Sequence, residues 1–341
     1  MTANPLRAGC NALLDASILF SFDRSGFRRH ARSFAPTDLD VDLTGRVCVV
    51  TGANSGIGFE TSRALAGRGA TVWMLCRDRQ RGQRALDEIR ATAASKRVHL
   101  AVLDISDLGA VRHFAREFSV PRVDVLVHNA GVLPDRRLES ADGHEMTLAT
   151  HVLGPWLLTR ELLPRLRASR DARVVFVSSG GMYSQRLSLT DCEWRHRPYD
   201  GVTAYAQTKR MQVVLAELLA AELTPARITV SSMHPGWADT PAVRTSLPRF
   251  RDRMQGRLRT PSEGADTVIW LAASTAARGR SGRFWFDRQP RSTHLLPWTR
   301  ESAATRTALR HLCERATATP AATSSAVDVR VRSRRRAASP R

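Results

Sequence analysis

Val47-Cys48-Val49-Val50-Thr51-Gly52-Ala53-Asn54-Ser55-Gly56-Ile57-Gly58 is the stretch on which the fold turns. The apolar, β-branched run at its start reads as a short buried strand. The glycine-rich segment that follows reads as a tight turn opening a helix over residues 58–67. Glycines let the backbone come close to a ligand. A helix N-terminus adds free N–H groups and the positive end of its dipole, which together suit a phosphate. Such a turn alone is weak, because similar turns serve structure. Here it follows a strand, opens a helix and begins an alternating series, which is the context a nucleotide site needs.

The series runs outward from there. Strands are expected over 71–76, 98–104, 123–127, 173–178, 228–233 and 282–286. Between them lie helical segments over 78–93, 107–118, 155–168 and 205–223. Strands separated by helices imply right-handed crossovers and a parallel sheet. The expected fold is a single-domain α/β, Rossmann-type doubly wound parallel sheet with helices on both faces. No repeat and no long linker interrupts residues 46–290, which read as one catalytic domain. An N-terminal extension (1–45), a helical extension (291–319) and an arginine-rich tail (320–341), expected to be disordered, flank it.

At 341 residues and 43% apolar the chain can build a sizeable core. No apolar run approaches the ~20 residues needed to span a bilayer. Five scattered cysteines (Cys10, Cys48, Cys76, Cys192 and Cys313) include no C-x-x-C pair. That argues against a disulfide framework or a metal site, and for a reducing, cytoplasmic compartment. The net charge is +20, with six arginines in the tail and six more over 244–259. A solubilising tail and a general arginine bias explain this more simply than a nucleic-acid partner, which is not expected. Residues 12–22 are apolar, and Arg24, Arg28, Arg29 and Arg32 follow. Charge after the apolar run, not before it, disfavours a secretory signal. An amphipathic helix fits, packed on its own domain or a second subunit, or lying on a membrane surface.

Two residues carry the chemistry. Only Lys96 and Lys209 are lysine among 52 basic residues, and Lys209 lies four positions after Tyr205. On a helix these share a face. An ammonium near a phenol favours the phenolate, lowering its pKa toward a usable general acid/base. A chance surface pair is the bland alternative. Cys76-Arg77-Asp78 ends the second strand. An NAD site wants an acid there, whereas Arg77 can pair with a 2′-phosphate, so NADP(H) is favoured over NAD(H). Asp78 reads as the cap of the next helix. Asp104 ends the third strand, where it either accepts from an adenine amino group or caps a turn. Asn129-Ala130-Gly131 ends the fourth, where small residues let a cofactor lie against the backbone.

The glycine-rich turn at 51–58, Asn129-Ala130-Gly131, Ser179 after the fifth strand, Tyr205 with Lys209, and Pro235-Gly236 after the sixth strand occur in this order. As a set they resemble the short-chain dehydrogenase/reductase family over about residues 40–290. Cys76-Arg77-Asp78 is similar to that of its retinol-dehydrogenase-like members, which mostly use NADP. The resemblance implies an oxidoreductase interconverting a carbonyl and an alcohol by hydride transfer. Tyr205 would move the proton and Lys209 would bind the nicotinamide ribose. Ser179, with Ser178 as the other candidate, would hold the substrate oxygen. Thr240 would touch the nicotinamide or pyrophosphate side. A homo-oligomer built through the tyrosine helix is also implied. Two residues depart from the family pattern. His151 stands where the family places an asparagine that holds a water in a proton relay to the lysine, and it either continues that relay or simply packs. His128, before the Asn129 turn, reads as a structural swap.

After Thr240, residues Val243, Leu247, Phe250, Met254 and Leu258 recur at roughly helical spacing among the arginines. They are expected to face a pocket while the arginines face solvent, which suits a lipophilic substrate. An ordinary amphipathic surface helix has the same pattern. An NADP-responsive binding or regulatory protein is the competing function. An epimerase or dehydratase of the extended type would carry a different glycine spacing.

Overall fold

Strand β1 (Val47–Thr51) is the pivot of the sheet. It pairs in parallel with β2 (Thr71–Cys76) on one side and with β4 (Val125–His128) on the other. Strand β3 (Val98–Val102) extends the β2 side. Strands β5 (Ala172–Val177), β6 (Ile228–Met233) and β7 (Arg283–Phe286) extend the β4 side. The order is β3-β2-β1-β4-β5-β6-β7-β8, all parallel except the short edge strand β8 (Gln289–Arg291). This is the doubly wound α/β fold expected from the alternation. The computed structural model describes residues 14–319, apart from Ala16 and Ala94, so the tail and Cys10 lie outside the described residues.

Side chains alternate across the pleat and build two cores. Val49, Leu126, Val174, Phe176 and Val230 pack under the helices Leu108–Glu117, Gly154–Glu161 and Gly201–Leu223. Val50, Val72, Met74, Val127 and Val175 pack under Gly56–Gly67, Arg79–Thr92 and Pro261–Ala273. Helices on both faces explain why the central strands read as continuous apolar runs.

Several boundaries differ from the sequence expectation. The third strand stops at Val102, because Asp104 takes the Ser106 N–H and hydroxyl and turns the chain. The tyrosine helix starts earlier, at Gly201, because Asp200 caps it by accepting from Thr203 N at 2.6 Å. The helix expected over 155–168 is two, Gly154–Glu161 and Leu163–Arg167, and a π-helical turn, Ala149–Leu153, leads into the first. Helix Pro261–Ala273 was not expected at all. Its signal is the reciprocal capping box of Thr260 and Glu263, with bonds of 3.1 and 2.8 Å.

The apolar N-terminal segment is broken by Asp23, which caps the second of two short helices, Ile18–Phe22 and Arg24–Ala31. The hairpin packs on its own domain. Phe22 sits among His234, Trp237 and Phe286, and its carbonyl accepts from Trp237 N at 2.8 Å. Arg259 was expected to face solvent; it is buried. Its guanidinium pairs with Asp287 at 2.6 and 2.9 Å and donates to the carbonyls of Ser21 and Phe22, so its charge is matched inside. His30 bonds the same carboxylate at 2.6 Å. At the other end, helix Ala303–Ala316 lies on the tyrosine helix with Leu309 and Cys313 fully buried. Glu301 there pairs with buried Arg210.

Removing one member of a buried ion pair strands the other. Arg259→Leu is therefore expected to cost about 3–5 kcal/mol of folding stability. The double variant with Asp287→Asn should cost clearly less than the two single losses combined. Urea unfolding followed by circular dichroism measures both.

Candidate active site

The floor of the site is where the chain turns after β1 and β4. The Thr51 hydroxyl accepts from the N–H groups of Asn129 and Ala130, each at 3.0 Å, and donates to Val127 O at 3.3 Å. Asn129 Nδ2 donates back to the carbonyls of Thr51 and Gly52. These bonds hold the two turns so close that side chains are excluded. Gly52 has φ +64, and a Cβ there would lie 2.8 Å from Ala130 Cα. A Cβ on Gly58 would strike Asn129 Nδ2 and Gly52 O. Ser55 precedes helix Gly56–Gly67 in extended conformation and makes no side-chain cap bond. The first N–H groups of that helix are thus left for a ligand.

A cavity of about 770 Å³ runs over this floor. At one end are Arg77 and Asp104, and in the middle Asn54–Ile57 and Asn129–Gly131. At the other end are Tyr205, Lys209, Pro235, Gly236 and Thr240 under Val243, Leu247 and Phe250. Its length, side-chain-free cradle and basic end fit a nicotinamide dinucleotide. Arg77 is largely exposed, with its guanidinium 3.9 Å from Asp104. One Asp104 oxygen is committed to the Ser106 turn. Asp78 caps the next helix through Arg81 N, as its position suggests. Arg81 also borders the cavity, one helical turn beyond Arg77.

At the end opposite Arg77 the tyrosine helix presents Tyr205 to the cavity and buries Lys209 beneath it. The ammonium lies 5.4 Å from the phenol ring centroid. It donates to Val177 O at 2.9 Å and to Gln212 Oε1 at 3.0 Å. Ser179 accepts from Gly181 N at 3.2 Å and its hydroxyl bonds toward Tyr205. The adjacent Ser178 is buried and donates to Lys209 O at 2.8 Å, so its proton is already used. His151 is fully buried in the π-helical turn, its ring edge-on to Tyr205.

Burial governs the proton affinities here. It pushes Lys209 down to about 7 and raises Tyr205 above the ordinary phenol range, with the Ser179 bond acting the other way. The expected lowering of Tyr205 by Lys209 is absent in the protein alone. The ammonium is itself desolvated, and its identified protein bonds go to a carbonyl and an amide. His151 is held well below the usual histidine range by burial, then by the Lys209 charge, so its ring is neutral.

The short chain dehydrogenase family profile matches residues 46–249 of this chain. This chain belongs to the short-chain dehydrogenase/reductase family. Over 279 residues it is 44% identical to human (Homo sapiens) dehydrogenase/reductase SDR family member 12, spanning 81% of this chain and 87% of that one. It is 39% identical to the polyprenol dehydrogenase of Mus musculus over 256 residues, 71% of this chain and 76% of that one. Among solved structures it superposes on the Pseudomonas aeruginosa RhlG/NADP active-site complex with a TM-score of 0.59 and 26% identity, covering 71% and 94% of the two chains.

As an oxidoreductase of that family, the chain brings Ser179, Tyr205, Lys209 and His151 into one cluster at the end of the dinucleotide cavity. Sequence reasoning missed three residues that touch this machinery. Arg81 is signalled only by lying one turn past Arg77. Gln212 lies three residues after Lys209 on the same helix face. Phe22 packs on the Pro235–Trp237 turn from two hundred positions away, with no local signal. Of the apolar residues in the segment 241–259, which covers the cavity as a lid, Val243, Leu247 and Phe250 border it, whereas Met254 is buried away from it and Leu258 does not line it. His128 is a packed residue, bonded to Thr159 at 2.8 Å and tilted on Phe176. Among the described residues no cluster of His, Cys, Asp or Glu is arranged to hold a metal.

Proposed function

We propose that the chain transfers hydride between NADP(H) and a lipophilic carbonyl/alcohol pair, with Tyr205 as the general acid/base. The observation that carries this is the cluster itself. Tyr205, a half-buried residue, stands beside Ser179 and above a buried lysine, facing a cavity roofed by Val243, Leu247 and Phe250. The dinucleotide, when bound, supplies or takes the hydride. Tyr205 gives its proton to the substrate oxygen in reduction and takes it back in oxidation. Ser179 donates a hydrogen bond to that oxygen, where negative charge develops. Lys209, which borders the cavity beneath the phenol, is the residue that would bind the nicotinamide ribose of that dinucleotide. Arg77 and Arg81 are the groups for a 2′-phosphate. The polyprenol dehydrogenase relative and the NADP complex of the structural relative support the lipophilic substrate and the cofactor choice.

Tyr205→Phe is expected to lower kcat by about 10²-fold or more while NADPH binding stays within a few-fold of the wild type. The assay is NADPH oxidation over a panel of lipophilic aldehydes and ketones. Wild-type protein that binds NADPH yet turns over none of them would sink the proposal and favour an NADP-responsive binding protein. His151, whose ring is neutral and fully bonded, is the observation on that side. Arg77→Ala and Arg81→Ala should each weaken NADPH binding roughly tenfold, with NADH binding little changed. Fluorescence titration of both nucleotides decides this, and equal losses would remove the phosphate role.

Peripheral membrane contact belongs to the same reading. Ile18 and Phe20 are exposed on the N-terminal hairpin. Arg257, at the end of the lid, stacks over Phe20 at 5.3 Å, and its carbonyl accepts from Arg24 N at 2.8 Å. Arg24 and Arg257 pair there with Glu263 and Asp23, so hairpin and lid share one edge whose apolar tips and remaining arginines suit an anionic lipid surface on a cytoplasmic protein. Among the described residues no helix is long and apolar enough to cross a membrane. Flotation should show binding to anionic vesicles, none to neutral ones, and loss of binding in an Ile18→Ser/Phe20→Ser variant. A homo-oligomer remains part of the proposal, to be read by light scattering. The C-terminal helix would form part of any interface built on the tyrosine helix.

A further inference from the structure

Lys209 Nζ has three protons to give. Two go to Val177 O and Gln212 Oε1. Among the described residues the third has no protein acceptor, and the lysine borders the cavity. Whatever fixes the first two therefore aims the third. Val177 O belongs to the end of β5 and is rigid. The other acceptor is a side chain, and it is itself fixed. Gln212 is fully buried, and its Nε2 donates to His151 O at 2.8 Å. Turning the amide over would press an NH₂ group against the ammonium and an oxygen against a carbonyl, so the partners leave one orientation.

The His151 ring is committed elsewhere. Its Nε2 accepts from Val132 N at 3.0 Å, so the proton is on Nδ1, which donates to Thr208 Oγ1 at 2.8 Å. Thr208 in turn gives its proton to the carbonyls of Ala204 and Tyr205. Neither ring nitrogen is available to pass a proton to the lysine. The connection from Lys209 to the π-helical turn runs instead through Gln212 to the backbone oxygen of residue 151. It is indifferent to which side chain that residue carries.

We propose that Gln212 is the positioning residue of this site: it orients the Lys209 ammonium toward the cavity by bridging it to the backbone of the π-helical turn. The proposal rests on the hydride-transfer reading for its catalytic consequence, but not for the bridge itself. The titratable groups packed around the ammonium are Tyr205 on its own helix and His151 on the π-helical turn. The turns Asn129–Gly131 and Val177–Ser179 bring none, and no carboxylate pairs with Lys209 among the described residues.

With Lys96 on the surface the only other lysine, the test is direct. Protein labelled with ¹³C at lysine Cε gives two signals, and a Lys96→Arg variant assigns them. Lys209 is titrated with and without NADPH in the wild type, Gln212→Leu and the near-isosteric Gln212→Glu. A lysine that loses its acceptor is harder to protonate, so Gln212→Leu should titrate lower. The carboxylate of Gln212→Glu should make it titrate higher. The fall of kcat/KM at alkaline pH should follow the lysine in both. A downward move of one unit gives about a tenfold loss at pH 8 and only about twofold at pH 6. Gln212→Leu titrating as the wild type does, with only folding stability reduced, would overturn the proposal. So would a moved titration that the rate profile ignores. If the wild type turns nothing over, the hydride-transfer reading fails by itself, and the lysine titration still decides whether Gln212 holds the ammonium.

Discussion

One threonine hydroxyl sits where the sheet reverses its winding. Strand β1 lies between β2 and β4, so the crossovers on its two sides leave in opposite directions and open a crevice at its end. Thr51 uses its one proton and both lone pairs to hold the two lips of that crevice together. The close approach of Gly52 to Ala130 and of Gly58 to Asn129 follows from this, as does the bare helix N-terminus at Gly56. The cavity inherits its floor from these few bonds, and the tyrosine helix then needs only to stand at the far wall.

Both extensions reach that wall through a buried arginine. Arg259 joins the N-terminal hairpin to Asp287 beside the Pro235–Trp237 turn. Arg210, the residue next to Lys209, joins the tyrosine helix to the C-terminal extension through Glu301, the Thr293 carbonyl and His294. Guanidinium is suited to this work because its planar fork reaches several acceptors at once and stays charged inside a protein. Buried pairs of this kind add little net stability over well-packed apolar residues, but they penalise any arrangement that leaves one partner alone. They therefore specify where the extensions dock.

The sequence made legible what is local. The β/α alternation, the Asp78 cap and the glycine turn follow from neighbours in the chain, and so does the i, i+4 pair of Tyr205 and Lys209. What it hid depends on distant partners. Arg259 looks like its solvated neighbours until Asp287 and the Ser21 and Phe22 carbonyls surround it. Gln212 looks like any polar residue on a long helix until the carbonyl of His151 fixes its amide. The proton affinity of Tyr205 followed burial, and the neighbouring charge did not reverse it, because the depth of a pocket cannot be read from spacing. Helix Pro261–Ala273 is the exception, since Thr260 and Glu263 signalled it locally and only its even burial obscured the periodicity.

The docking of the hairpin also sets a timetable. Phe22 is held by Arg259, 237 positions later. During synthesis the hairpin leaves the ribosome first and its partners last, an interval of roughly 10–50 s at ordinary elongation rates. Through that interval Phe22, buried in the finished fold, has nothing to cover it. The arginines that follow at 24, 28, 29 and 32 act then as gatekeepers, keeping an exposed apolar segment from associating with its nascent neighbours until the last third of the chain arrives.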